Sequence, residues 1–345
     1  MMNGSIHTDS RVVRRFLVLI FVAACALSAG TAWWLHAPLA WRAGAPADQP
    51  LELDIEPGTS PRGVAQAAVR AGLDTDAQAL FWWFRLSGKS RDIKAGNYEI
   101  ARGTTPYTLL QKIVRGEQAL HALTLVEGWN FRQLRAALNR SEQLGHASAG
   151  MSDADIMAAL GRPGVAPEGR FFPDTYTFAK GSSDLAVLRR ALHAMDRRLE
   201  AAWAERTPDT PLQSADQALI LASIVEKETG QAQDRAQIAG VFINRLRIGM
   251  PLQTDPTVIY GLGEKFDGNL RRRDLQADTP YNTYTRGGLP PTPISMPGAH
   301  ALLAAVQPAP TKALYFVARG DGSSHFSATL DEHNRAVNRY QRAGK

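Results

Sequence analysis

Twenty residues from Phe16 to Leu35 carry no acidic or basic side chain, and that stretch constrains the chain more than any other. Inside a bilayer every backbone N–H and C=O must find its partner within the segment, so an apolar run of this length has one stable form there, a spanning helix. Arg11, Arg14 and Arg15 precede it, and Trp33 and Trp34 stand where an interfacial aromatic belt would. The positive-inside rule then places residues 1–15 in the cytoplasm, 16–36 in the membrane and the body of the chain on the far side.

Two other readings of the same segment compete. Ala24-Cys25-Ala26 offers small residues for signal-peptide cleavage, although the apolar run continues past it. Val22-Ala23-Ala24-Cys25 has the pattern of a lipoprotein box, which would anchor the chain through Cys25 instead. All three readings export the body. Cys25 is the single cysteine, so neither a disulfide framework nor a cysteine-rich metal site forms within one chain. The net charge of +6 suits an anionic surrounding, such as lipid headgroups or wall polymer. It is too diffuse to argue for nucleic acid.

Residues 37–50 read as a linker. After them a short pattern occurs three times. Ile55 to Pro61, Ile100 to Pro106 and Leu125 to Asn130 each pass from a strand through a glycine turn to a Ser, Thr or Asn cap. An amphipathic helix follows each, through Val64 and Ala68, through Leu109, Leu110 and Ile113, and through Leu134 and Leu138. These units resemble the LysM module, a small peptidoglycan-binding domain, and define a region over 51–165. A purely structural α+β spacer has the same pattern. Phe81-Trp82-Trp83-Phe84 lies on a helix between the first two copies, suited to core packing or to stacking on sugar rings.

From 166 to 345 the texture changes. Arg170 to Tyr176 is aromatic, proline-broken and extended, and a packing helix follows from Leu185 to Arg206. Then comes Leu219 to Gly230, an apolar helix with Ser214 or Asp216 as cap and Gly230 placed to stop it. Glu228 shares a face with Leu221, Ile224 and Val225, whereas Glu226 lies roughly 200° round and faces solvent. A carboxyl aimed at apolar surroundings keeps its proton to higher pH and can act as a general acid. An ion pair with Arg245 is the alternative use.

Val241 to Leu246 belongs to a second apolar helix ending near Gly249, and Thr254 or Asp255 caps a short helix that opens with Pro256. Tyr281 to Thr285 and Gly287 to Ile294 form ordered loops whose Asn and Tyr groups suit sugar hydroxyls and N-acetyl groups. Leu314 to Ala318 and His325 to Ser327 make a hairpin around Gly320-Asp321-Gly322. His-Glu-x-x-His, Gly-x-Ser-x-Gly, a phosphate-binding Walker loop and a dinucleotide fingerprint do not occur in the sequence.

Glu226-Lys227-Glu228-Thr229, Val241 to Leu246, Leu252 to Tyr260, Tyr281 to Tyr284, Gly288 to Pro291, Tyr315 to Val317 and His333-Asn334, in that order, resemble the endolytic murein transglycosylases of the YceG-like kind. The resemblance implies an α+β fold: one transmembrane helix, a LysM-like subdomain over 51–165 and a catalytic domain over 166–345. It implies a single-pass enzyme of the bacterial inner membrane, a lyase that cuts nascent peptidoglycan strands between N-acetylmuramic acid and N-acetylglucosamine. The product carries a 1,6-anhydromuramoyl end. No cofactor or metal is implied, and peptidoglycan synthases are the expected partners. The family's catalytic glutamate carries over to Glu228. Asn282, Tyr284, Asp255 and Tyr260 are the candidates for holding the sugar. A hydrolase using Asp255 or Glu226 to direct water, and a wall-binding scaffold without activity, are the rival readings.

Overall fold

A computed structural model describes residues 10–43 and 50–342. The stretch before residue 10, expected in the cytoplasm, and part of the 37–50 linker lie outside the described residues. The chain divides into two compact units, Met1–Leu120 and His121–Lys345. Helices and short antiparallel strand pairs make both, so the fold is α+β.

The first unit opens with α1 (Ser10–His36) and β1 (Ala40–Trp41), followed by β2 (Leu51–Ile55), α2 (Pro61–Arg70) and β3 (Leu73–Asp74). α3 (Ala77–Leu86), β4 (Gly96–Ile100) and α4 (Pro106–Arg115) complete it. Residues Leu17–His36 of α1 are long and apolar enough to cross a membrane. β2 pairs antiparallel with β4, Leu53 opposite Tyr98, and the alternating inner residues of β2 meet Val64, Leu80, Phe84, Leu109 and Ile113 in one core. Ser60 and Thr105 cap α2 and α4 as the repeat pattern requires. Of the aromatic cluster, Phe84 is core and Trp83 donates its indole N–H to the Pro106 carbonyl at 3.0 Å, while Trp82 is half exposed.

The second unit begins as β5 (Leu120–Thr124) leads into α5 (Phe131–Arg140), the third copy of the pattern, capped by Asn130. α6 (Asp153–Ala159), β6 (Thr175–Ala179) and α7 (Asp184–Ala204) follow. The third copy pairs β5 with β6, and its Phe131, Leu134 and Leu138 share a core with Phe171, Phe178, Leu188 and Leu192. The boundary between the two compact units falls after Leu120. Locally the copy looks like the first two, but the apolar surface that completes it comes from β6 and α7.

α8 (Ala215–Glu228) and α9 (Ala232–Arg247) then enter, followed by α10 (Asp255–Leu262), α11 (Arg272–Gln276) and α12 (Ala299–Val306). The hairpin of β7 (Tyr315–Ala318) and β8 (Ser324–Ser327) and helix α13 (Leu330–Val337) close the unit. α8 is its centre. Leu219, Leu221, Ala222, Ile224 and Val225 are all at most 1% exposed, because α7, α9, α10 and α12 surround it. Ser214 supplies its cap through the Gln217 N–H, and Asp216 pairs instead with Arg170 at 2.7 Å. The helix stops when Thr229 turns extended, before Gly230 is reached.

α9 runs so close to the segment before β7 that a Cβ on Gly240 would meet the Ala309 carbonyl oxygen at 2.7 Å. Alanine is the better helix former by about 1 kcal/mol. Gly240→Ala is nevertheless expected to lower the melting temperature, since overpacking costs roughly 1–3 kcal/mol. A rise in melting temperature would mean that the close approach is absent.

Candidate active site

α8 delivers Glu228 from the core to its own last residue, where the carboxyl meets the segment entering α10. Thr254 is 2% exposed and donates its hydroxyl hydrogen bond to Glu228 Oε1. Because that hydroxyl is engaged, Thr254 occupies the cap position of α10 without making a side-chain cap bond. Thr254 is itself fixed by its N–H to Thr283 Oγ1 at 3.1 Å, while Thr257 Oγ1 lies 2.9 Å from the same hydroxyl. The preceding residue, Gln253, is held at φ 48 by its N–H bond to the Thr283 carbonyl. A non-glycine residue in the left-handed region is strained, and here the strain aims Thr254 at the carboxyl.

Burial pushes the Glu228 carboxyl up to about 7, and the Asp255 carboxylate pushes the same way. The Thr254 hydrogen bond and the Arg245 charge pull it down. Arg245 does not form the ion pair that the sequence offered. Its Nε donates to the Leu314 carbonyl at 2.7 Å, its Nη1 to the Leu252 carbonyl at 2.6 Å, and its guanidinium lies over the Tyr315 ring. Tied to carbonyls, the charge moderates Glu228 from beside it.

The four expected sugar contacts divide. Tyr284 donates its hydroxyl to Asp255 Oδ1 at 2.6 Å, so the two form one unit next to Glu228, with Asp255 exposed. Burial and the Asp255 carboxylate raise the Tyr284 phenol above its ordinary range. Asn282 is fully buried. Its amide nitrogen donates to the carbonyls of Asp274, Leu275 and Ala277, and its oxygen accepts from the Tyr284 N–H at 2.9 Å. No polar atom of it is left for a sugar, and its work is to hold the loop that carries Tyr284. Tyr260 donates to Glu168 Oε2 at 3.1 Å.

Glu226 departs from its expected place in solvent. It accepts the Gly298 N–H at the start of α12 at 3.0 Å and is half buried. A carboxylate at a helix N-terminus is a stabilising arrangement, and desolvation raises its pKa.

A groove of about 1150 Å³ opens beside this constellation. Asn130, Arg132, Arg135, Glu168, Lys227, Pro256, Tyr260 and Tyr281 are among its walls. Glu228 flanks it through its chain neighbour Lys227, and Asp255 through Pro256. Two acids line the groove, Asp153 and Glu168, and burial pushes Glu168 up to about 7 as well. Its oxygens are already occupied: both accept the Phe131 N–H at 3.1 Å, and one accepts the Tyr260 hydroxyl. Glu168 is thus built into the wall. Among the described residues, the hydrogen bond recorded to the Glu228 carboxyl comes from Thr254 alone, which leaves its second oxygen for a reacting group. Glu168 escaped the sequence reading because it precedes an irregular segment with no periodicity to mark it as buried. Thr254 carries only a cap signal in the sequence.

A carboxyl poised near neutral pH, beside a second carboxylate and a groove, defines a site of the general-acid class. The comparisons give it a family. The YceG-like family profile matches residues 53–339, and the chain belongs to that family. It is 30% identical over 307 residues to the endolytic murein transglycosylase of Bacillus subtilis strain 168, covering 84% of each chain. It is 26% identical to the endolytic murein transglycosylase of Streptococcus pneumoniae strain D39, covering 82% of this chain and 57% of that one. The crystal structure of a YceG-like protein from Listeria monocytogenes superposes with a TM-score of 0.55 at 29% identity, over 82% of this chain and 98% of that one.

Both raised carboxyls bind protons in the folded state that the unfolded chain releases near 4.5. Between about 4.5 and 7 the folded state holds more protons, so stability is full below that window and falls as pH rises through it. Glu228→Gln and Glu168→Gln are each expected to flatten this slope in denaturant titrations across pH 4.5–7. An unchanged slope in both would contradict the burial described.

Proposed function

We propose that the chain is an endolytic peptidoglycan lytic transglycosylase, a carbon–oxygen lyase with Glu228 as its single acid and base. The observation that carries this reading is the Glu228 carboxyl, desolvated to a pKa of about 7 with one oxygen uncommitted. The names of its relatives support the substrate.

Glycosidases that add water need two carboxylates, one of them to activate the water or to attack the sugar. A lytic transglycosylase instead uses the muramoyl C6 hydroxyl of its own substrate. Protonated Glu228 donates to the glycosidic oxygen as the bond to the anomeric carbon breaks. The resulting carboxylate takes the C6 hydroxyl proton while that oxygen bonds to the anomeric carbon, closing the 1,6-anhydro ring. A group with a pKa near the working pH performs both transfers without a large penalty in either direction. Attack within one sugar also removes the entropy loss of capturing a second reactant. Asp255, held by Tyr284, supplies negative charge next to the positive anomeric centre, and the substrate N-acetyl group assists. Tyr260 serves the groove wall through Glu168, and Asn282 serves the loop that carries Tyr284.

The same reading places α1 as a single inner-membrane anchor with residues 1–15 in the cytoplasm and the body in the periplasm. The repeats of the first unit bind glycan in the manner of LysM, and the synthases that extend the strands are the partners. A hydrolase is the second reading, favoured by one observation: the exposed Asp255 carboxylate is close enough to raise Glu228.

Digestion of uncross-linked glycan strands, with products identified by mass, separates the two. Anhydro ends are expected from the wild type, and Glu228→Gln is expected to be about 10²–10⁴-fold slower. Products carrying an added water would establish the hydrolase. Undiminished cleavage by Glu228→Gln would remove Glu228 from the chemistry.

A further inference from the structure

We infer that α3 enters the outer leaflet of the membrane beside α1, and that the groove between them holds a lipid acyl chain. This rests on the reading of α1 as a membrane anchor. The groove, about 470 Å³, lies wholly within the first unit. One wall is Ala26, Leu27, Gly30, Thr31, Trp34 and Leu35 of α1, and the other is Ala79, Trp82, Trp83 and Leu86 of α3. Every α3 residue lining it is apolar or aromatic.

Position along α1 identifies the occupant. The wall begins at Ala26, and at 1.5 Å per residue that is roughly 15 Å before the helix end at His36. A helix spanning the hydrocarbon core from Leu17 to His36 has its second half, with these residues, inside the outer leaflet. Whatever faces them is at acyl-chain depth, and α3 faces them. Its exposure agrees with that placement. Leu86 is 78% exposed and Trp82 50%, whereas Leu80 and Phe84 of the same helix are completely hidden in the core.

Charge along α3 is ordered in the same sense. Asp74 and Asp76 precede the helix, whereas Arg85, Lys89 and Arg91 cluster at its far end, followed by Asp92. Arginine and lysine beside a buried apolar residue extend their charged ends to the phosphate level while their stems stay in the apolar layer. Trp82 and Trp83 suit the boundary between the two. The first unit is thereby fixed at the membrane surface by two elements, a spanning helix and a shallow one.

The single cysteine makes the test direct. On a Cys25→Ser background, Leu86→Cys and, separately, Leu27→Cys are labelled with an environment-sensitive fluorophore. The full chain is then reconstituted in phosphatidylethanolamine–phosphatidylglycerol vesicles carrying an acyl-chain nitroxide. Position 86 is expected to show blue-shifted emission, loss of intensity to the nitroxide comparable to that at position 27, and protection from aqueous iodide. Quenching at 27 with iodide access at 86 would overturn the proposal and leave the anchor standing. Absence of nitroxide quenching at both positions would remove the anchor, and the proposal with it. Shielding of position 86 from both quenchers, with oxidative cross-linking between two copies of the Leu86→Cys chain, would assign the groove to a second copy and overturn the lipid assignment.

Discussion

The second unit depends on a helix whose stretch from Leu221 to Val225 is buried on every side. The course of α8 through the core is fixed by α7, α9, α10 and α12 together. Burying its four large or branched apolar side chains, Leu219, Leu221, Ile224 and Val225, stabilises that course by about 1.5–3 kcal/mol each. The carboxyl at the end of this helix is held against the segment entering α10 by the Thr254 hydroxyl. The raised pKa of Glu228 follows from its burial at the end of this packed helix.

The loops around the carboxyl are tied to the same helix. Ser223, fully buried within α8, accepts the Ile294 N–H at 3.0 Å, and Ser295 donates to the Ser223 carbonyl at 3.0 Å. Glu226 holds the start of α12. Thr283 sets Thr254, and Thr254 bonds Glu228. The polar residues of this helix thus fasten an irregular segment from 281 to 298 against a rigid element, which is how loop groups can be placed with the accuracy that proton transfer demands.

Local signals carried the parts of this architecture that depend on neighbouring residues. The three glycine turns followed by Ser60, Thr105 and Asn130 were readable as helix starts because cap chemistry is settled within four residues. The inward face of Glu228 was readable because helical spacing is. Distant partners were not. Nothing near Glu226 in sequence announces the α12 N-terminus that takes it out of solvent. Asn282 in an aromatic loop looks the same whether it serves a sugar or three backbone carbonyls, and only the course of α11 decides. Glu168 sits in a turn without periodicity, and its burial comes from Phe131 and Tyr260, 37 and 92 residues away. The third repeat copy has the local pattern of the first two, yet belongs to another unit because β6 and α7 complete its core.

The central claim is that Glu228 holds a proton near neutral pH through desolvation, with Thr254 and Asp255 opposing one another. Carbon-13 NMR titration of side-chain-labelled glutamate tests it directly, with Glu228→Gln identifying the resonance. The account predicts an apparent pKa of about 7, moving up in Thr254→Val as the charged form loses its donor and down in Asp255→Asn as the repelling charge is removed. A Glu228 carboxyl that titrates like an ordinary exposed glutamate, unmoved by either substitution, would contradict it.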